Sequence, residues 1–268
     1  MDWSKIKTIF ILTFLVLNVY LLYEYFNVVQ AKEQETEFPL SSTLEEKLKD
    51  DNISYDADIF TTEEVSGQLL RATPKEFEKD ELKSLNGEDI KVDGGVEYIF
   101  DVNKPLMKVS EDFDPKELES FIQSQVLYGN EYRFWEKKGN TITYYQTYQE
   151  KIIYQNKNAE LTFFLNENNE IVSYTQTYLE AIEPIEDDQK LIKPPSEALS
   201  SLYNSGKIPP GSKVSEPELG LHTYVDMSNL QVLTPAWRFV IDGEYSLYVH
   251  GFELNVLELN KNENKTME

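Results

Sequence analysis

Cysteine is absent from the 268-residue chain, histidine occurs only twice, and glycine is sparse at 11 residues. Without cysteine there is neither a disulfide scaffold nor a thiolate metal site. The two histidines, His222 and His250, stand outside HExxH or any related spacing, so a zinc site or a nucleophilic triad built on them is not expected. The glycines form no GxGxxG, no GxxxxGK[ST] and no GxSxG, which removes the common phosphate cradles and the hydrolase elbow. Basic residues are outnumbered, 25 against 48 acidic, for a net charge of −23. Such a surface repels phosphate backbones, which argues against nucleic acid, and it resists lying flat on an anionic leaflet. Its simplest consequence is solubility.

Acidic residues crowd at Glu111-Asp112 with Asp114 and at Glu186-Asp187-Asp188, but neither group has the spacing of an EF-hand loop, and both read as solvated loops. Asn52-Ile53-Ser54 and Asn264-Lys265-Thr266 are glycosylation sequons, which would carry no information if the organism is bacterial. No catalytic, cofactor-binding or metal-ligating residue is expected, and no cofactor.

Aromatic residues, by contrast, are plentiful: 17 Tyr, 14 Phe and 3 Trp. A disordered acidic chain lacks these residues, because it cannot bury enough apolar surface to offset its ordering entropy. From Thr8 to Tyr23 no charge interrupts TIFILTFLVLNVYLLY, and the apolar pattern resumes after Glu24 to end at Val29. As a helix, Thr8 to Val29 is roughly 33 Å long, which matches a hydrocarbon core of about 30 Å. A cleaved signal peptide is the competing reading, with Val29-Gln30-Ala31 as a small-x-small site. The apolar run is longer and bulkier than a signal core, which favours an anchor. Lys5 and Lys7 precede the span, whereas Glu24, Glu33, Glu35 and Glu37 follow it, so residues 1–7 are expected in the cytoplasm and the rest outside. Trp3 on one side, and Tyr20, Tyr23 and Tyr25 on the other, suit the two aromatic belts. Asn18 lies mid-span, either tolerated singly or hydrogen-bonded to a neighbouring helix, and is a candidate transmembrane partner contact. A seven-residue cytoplasmic stub leaves no room for a kinase or docking domain, so signalling is expected to pass through the helix or through exterior contacts.

Beyond the span, residues 30–40 read as a stalk, and a capped helix is expected from Ser42 to about Asp50. A strand over Val65 to Ala72 and a helix from Pro74 to Leu85 follow. A hairpin turns at Asp93-Gly94-Gly95, and a helix opens at Asp114-Pro115. Short alternating runs over 132–136, 141–148, 151–154, 160–165 and 171–178 predict an antiparallel meander. A helix after Pro194-Pro195-Ser196 runs through Leu202, and strands follow over 214–224, 231–241, 245–249 and 252–257. The fold class is α+β. Tyr144-Tyr145-Gln146-Thr147-Tyr148-Gln149-Glu150 repeats at five of seven places in Tyr174-Thr175-Gln176-Thr177-Tyr178-Leu179-Glu180, as two similar strands of one sheet would. The Tyr and Phe stripes fit packing across a sheet, or else a face that binds sugar or peptide.

The opening Met1-Asp2-Trp3-Ser4-Lys5-Ile6-Lys7-Thr8-Ile9-Phe10, the span with Asn18, the Gln-Thr-Tyr strands and Thr234-Pro235-Ala236-Trp237-Arg238-Phe239 together resemble the YycI (WalI) family over essentially the whole chain. The resemblance implies a non-enzymatic regulator of the essential cell-wall two-component system of low-GC Gram-positive bacteria. Its implied partners are the sensor histidine kinase WalK (YycG), the sister membrane protein YycH and the lipid bilayer. It also implies two related α+β lobes outside the membrane, as in YycH. With the boundary set by the helix start at Asp114, the expected division is stub 1–7, span 8–29, stalk 30–40, lobes 41–112 and 113–259, and a frayed tail 260–268. Gln149-Glu150-Lys151 stands where the family pattern leads one to expect a glycine-containing turn. An exterior module that recognises a peptide or wall fragment is the alternative function, and an anchored enzyme a third.

Overall fold

The computed structural model describes residues 3–34, 40–61, 63–82, 89–101 and 104–257. The tail 260–268 therefore lies outside the described residues, as do residues 35–39 of the stalk. The chain divides into two units, Met1–Ile53 and Ser54–Glu268.

In the first unit, helix α1 (Trp3–Gln34) contains the whole run from Thr8 to Val29. Its segment Ile6–Tyr23 is long and apolar enough to cross a membrane, and none of it is buried. The helix continues through Gln30 to Gln34, so this part of the expected stalk is helical; Gln, Ala, Lys and Glu all favour that state. Helix α2 (Leu40–Asp50) starts two residues ahead of Ser42 and buries Leu44 and Leu48, one turn apart. Its end is a Schellman motif. Asn52 takes the left-handed conformation (φ 55°), Asn52 N donates to Lys49 O, and Ile53 N donates to Leu48 O. The asparagine of the first sequon is thus a helix terminator.

In the second unit, the strand expected over Val65 to Ala72 is two pieces, β1 (Ser66–Gly67) and β2 (Leu70–Pro74). The helix expected from Pro74 to Leu85 is only α3 (Lys79–Leu82), and residues 83–85 lie outside the described set. Tertiary pairing overrides propensity here. Lys75 N donates to Tyr178 O at 2.8 Å and Phe77 N to Gly95 O at 3.0 Å, which ties the preceding residues to other segments. The hairpin forms as expected, with β3 (Asp89–Asp93) and β4 (Glu97–Asp101) joined through Gly94 and Gly95 at φ 57° and 85°. Helix α4 (Lys116–Gln125) begins where Asp114 Oδ1 accepts from Lys116 N and Glu117 Oε1 accepts from Asp114 N, a reciprocal cap.

The remaining elements are β5 (Tyr132–Lys138), β6 (Thr141–Tyr148), β7 (Lys151–Ile152), β8 (Glu160–Leu165), β9 (Ile171–Gln176), β10 (Leu179–Pro184), β11 (Lys190–Leu191) and helix α5 (Pro195–Asn204), then β12 (Glu218–Met227), β13 (Leu230–Ile241), β14 (Tyr245–His250) and β15 (Val256–Leu257). The run expected over 171–178 breaks at Gln176 into β9 and β10, the strand expected from Val214 starts at Glu218, and that expected over 252–257 is reduced to β15.

Two large sheets result, antiparallel throughout. One has the order β3-β4-β9-β8-β6-β5, with β7 alongside β6; the other has the order β10-β2-β13-β14-β15, with β12 alongside β13. Strands β5, β6, β8 and β9 are the expected meander, and the two copies of the Gln-Thr-Tyr echo, in β6 and in and after β9, flank β8. The sheets do not divide at the boundary expected near Phe113. From residues 41–112, β4 pairs with β9 of the first sheet and carries β3 at the edge, while β2 pairs with β10 and β13 of the second. Pairing across such distances depends on register between strands far apart in sequence, which local patterns do not carry.

Leu118 and Ile122 of α4 lie in a core with Tyr98, Ile142, Phe163 and Tyr174 of the first sheet. Phe100 and Tyr174 stack with centroids 4.8 Å apart, and Phe121 meets Phe163 edge-on at 6.1 Å. A second cluster takes Leu70, Ala72, Leu179, Leu221 and Leu233 from the other sheet together with Ile153. Pro235 sits in β13 without a backbone donor. On the edge it would disrupt, pairing with β2 ends at Leu233 and pairing with β14 begins at Ala236, so the proline falls between two neighbours.

The turn from β6 to β7 has Gln149 and Glu150 at φ 48° and 65° between the paired Tyr148 and Lys151. That is the geometry in which Asn-Gly is favoured. Glu150→Gly is expected to raise the unfolding free energy by about 1 kcal/mol, by removing one left-handed non-glycine residue. Urea denaturation checks this, and an unchanged or lower midpoint would contradict the turn as described.

Candidate functional site

Along α1, Trp3, Lys7, Phe10, Phe14 and Asn18 recur at three- and four-residue spacing and so share one face. Lys7 Nζ lies 5.2 Å from the centroid of the Trp3 ring, a basic and aromatic pair suited to a membrane interface. Phe10 and Phe14 are 72% and 61% exposed, far more apolar surface than a water-facing helix presents. Asn18 Nδ2 donates to Phe14 O at 2.9 Å, one turn back on the same helix. Beyond this single bond the carboxamide retains a second donor hydrogen and acceptor capacity on Oδ1.

His222 and His250 stand two residue pairs apart in the second sheet, opposite Thr234 and Ala236 respectively. His222 Nδ1 is buried with no hydrogen-bond partner among the described residues. Burial, and then repulsion from His250, lowers its pKa to about 4, so the ring is neutral at ordinary pH. Thr234 Oγ1 lies 3.1 Å from His250 Nε2, and His250 Nδ1 accepts from Phe252 N and Glu253 N. Among the described residues, no three His, Cys, Asp or Glu side chains gather as metal ligands. Glu111 and Asp112 are exposed beside the α4 cap that absorbs Asp114, and Glu186, Asp187 and Asp188 are exposed.

The motifs that distinguish the sequence turn out to hold the sheets together. Gln146 is fully buried; its Nε2 donates to Leu179 O, and its Oε1 accepts from Leu179 N, both at 2.8 Å. A side chain of β6 thereby pairs with the first residue of β10 as a strand would. Gln176, also fully buried, accepts from Tyr98 OH and donates to Leu127 O and to Tyr132 OH. Thr147 and Thr177, which follow these glutamines, donate to the carbonyls of Glu131 and Lys157. Each echo marks a passage between sheets. After Gln176 the chain leaves the first sheet and enters β10 of the second; after Tyr148 it turns through β7 to Ile153, which bridges Leu221 of β12.

Within Thr234–Phe239, Trp237 Nε1 donates to Lys193 O. Arg238 Nη1 donates to Glu218 Oε2 at 2.9 Å, and its guanidinium lies 4.1 Å from the Trp135 ring centroid. Arg133 of the first sheet pairs with the same carboxylate, so Glu218 joins the two sheets. The sequence reading missed these roles; the repetition of Gln-Thr-Tyr was the signal that pointed toward them. The aromatic stripes belong to the core, since Tyr98, Phe163 and Tyr174 are fully buried, and burial raises the Tyr174 pKa to about 12. Gln146→Leu, of similar size, strands both backbone groups of Leu179 and is expected to cost about 3 kcal/mol, read as a fall in urea midpoint at constant slope.

The sequence matches the family described as YycI protein over residues 32–252. Among solved structures it is similar to an uncharacterized protein from Eubacterium rectale ATCC 33656, at 13% identity over 78% of this chain and 92% of that one, with a TM-score of 0.39. It is also similar to the C-terminal domain of Bacillus megaterium YpeB, at 12% identity over 83% of this chain and 97% of that one, with a TM-score of 0.37. No curated protein matches.

Proposed function

Because the chain belongs to the YycI family, we propose that it is a non-enzymatic membrane regulator of the WalK/WalR two-component system, acting with YycH on the sensor kinase. Residues 1–7 lie on the cytoplasmic side, residues 8–29 span the bilayer, and the second unit stands outside. The observation that carries this reading is the pairing of the family match over residues 32–252 with an apolar helix none of whose spanning segment is buried. Such a helix is left to contact lipid or other helices. Asn18 is the proposed polar contact, through the amide hydrogen and carbonyl that its bond to Phe14 leaves over. The ligand-module reading loses support because the aromatics it called on are packed inside the first sheet's core.

A pull-down of the full-length, membrane-extracted protein, compared with one lacking residues 1–29, tests the reading. The kinase and the sister protein are expected with the full-length form only. Recovery with both forms moves the contact to the chain beyond residue 29, and recovery with neither overturns the regulatory reading. Exchanging the span for an unrelated apolar helix is expected to change kinase output, and Asn18→Leu to reduce co-recovery. Unaltered output after the exchange would remove the transmembrane part of the proposal.

A further inference from the structure

His250 closes β14, and its ring serves the segment that follows. Nδ1 accepts from the backbone amides of Phe252 and Glu253, each at 3.2 Å. A nitrogen that accepts carries no hydrogen, so the neutral ring has its proton on Nε2 and donates to Thr234 Oγ1 at 3.1 Å. The main chain of His250 closes the same turn, with Leu254 N donating to its carbonyl and its own amide donating to Asn255 O. Beyond the turn, Val256 and Leu257 pair with Val249 and Tyr248 as the last strand of the sheet. The ring lies between Tyr224 and Phe252, with centroids 5.6 and 5.9 Å away, and the residue is buried. Of the titratable groups around it, His222 and Tyr224 come from β12 and Glu253 from the turn, while β13 supplies the neutral Thr234.

We propose that His250 is an acid-released latch: its neutral imidazole holds the Phe252–Glu253 turn against the second sheet, beside ring-independent bonds from Gly251 N to Pro235 O, from Lys193 N to Gly251 O and from Ser201 Oγ to Leu254 O, and protonation of the ring loosens that turn. The proton has one place to bind. Nε2 already carries a hydrogen, so the second must enter at Nδ1, where it replaces the lone pair that two backbone amides share. Both amides then lose their acceptor and face an N–H instead, inside a site that also disfavours the charge. Burial lowers the pKa of His250 in the latched state, partly countered by Glu253. In the released state the ring titrates near its ordinary value of 6.5. The latch is therefore fully closed above that value, and its closing free energy falls as the pH drops below it. His222 does not compete over that range, since its lowered pKa keeps it neutral until about 4.

The test is amide hydrogen exchange of the full chain in detergent micelles at Phe252, Glu253 and Leu254, corrected for the intrinsic pH dependence of exchange. Protection is expected to fall by up to about tenfold per pH unit below about pH 6.5, following uptake of one proton. His250→Asn offers Oδ1 as an acceptor that takes no proton, and its protection should not change with pH; His222→Asn should respond as the wild type does. If His250→Asn leaves the turn unprotected at every pH, nitrogen NMR of the wild-type ring decides. Protonation of Nδ1 with the same midpoint as the loss of protection supports the latch, and a different midpoint overturns it. Constant protection in the wild type, a wild-type response in His250→Asn, or no response in His222→Asn also overturns it.

Discussion

Gln146 places its amide against the backbone of Leu179 where water does not reach, and the join between the two sheets depends on that pair of bonds. Leu179 opens β10, the strand that enters the second sheet, so its N–H and C=O must be satisfied at the point where the regular ladder of the first sheet stops. A carboxamide offers a donor and an acceptor in the spacing of a peptide group, and so extends the ladder by one side chain. Gln176, three residues before Leu179 at the same passage, does related work by tying Tyr98, Tyr132 and the carbonyl of Leu127. Apolar side chains in either place would leave buried backbone groups unpaired.

Around this seam the two sheets are locked by chemistry of another kind. Glu218 accepts arginines from both sheets, Arg133 and Arg238, and Trp135 lies against the second of them. Ile153, packed with Leu70, Leu179, Leu221 and Leu233, supplies the apolar filling. Acidic residues outnumber basic ones in the chain, and some of the basic ones pair across strands, as with Arg71–Glu183 and Lys75 between Glu81 and Glu180.

The family match over residues 32–252 and the exposed apolar segment Ile6–Tyr23 support the same reading from different parts of the chain. Legibility differed between these parts. The apolar helix could be read because no charge interrupts the run from Thr8 to Tyr23. The Asp93-Gly94-Gly95 hairpin, the α4 start at Asp114 and the meander were readable for a similar reason: each is local, set by turn chemistry or by alternation within a few residues. The Pro74–Leu85 helix was misread because a helical pattern there competes with backbone bonds to Tyr178 and Gly95, which come from distant segments. Asn18 could be singled out from its place in the apolar run, but its bond to Phe14 required the helix geometry.

The amino-acid sequence by itself determined the apolar helix, the α+β class, most strand and helix positions and, through its motifs, the family. These depend on residue spacing along a few turns, and that information is local. Only the tertiary structure decided that β2, β3 and β4 cross the expected lobe boundary, that both Gln-Thr-Tyr copies mark passages between sheets, and that His250 caps the turn after its own strand. Each of these is a pairing between groups whose partners are chosen by register and burial in three dimensions, and no pattern along the chain encodes that choice.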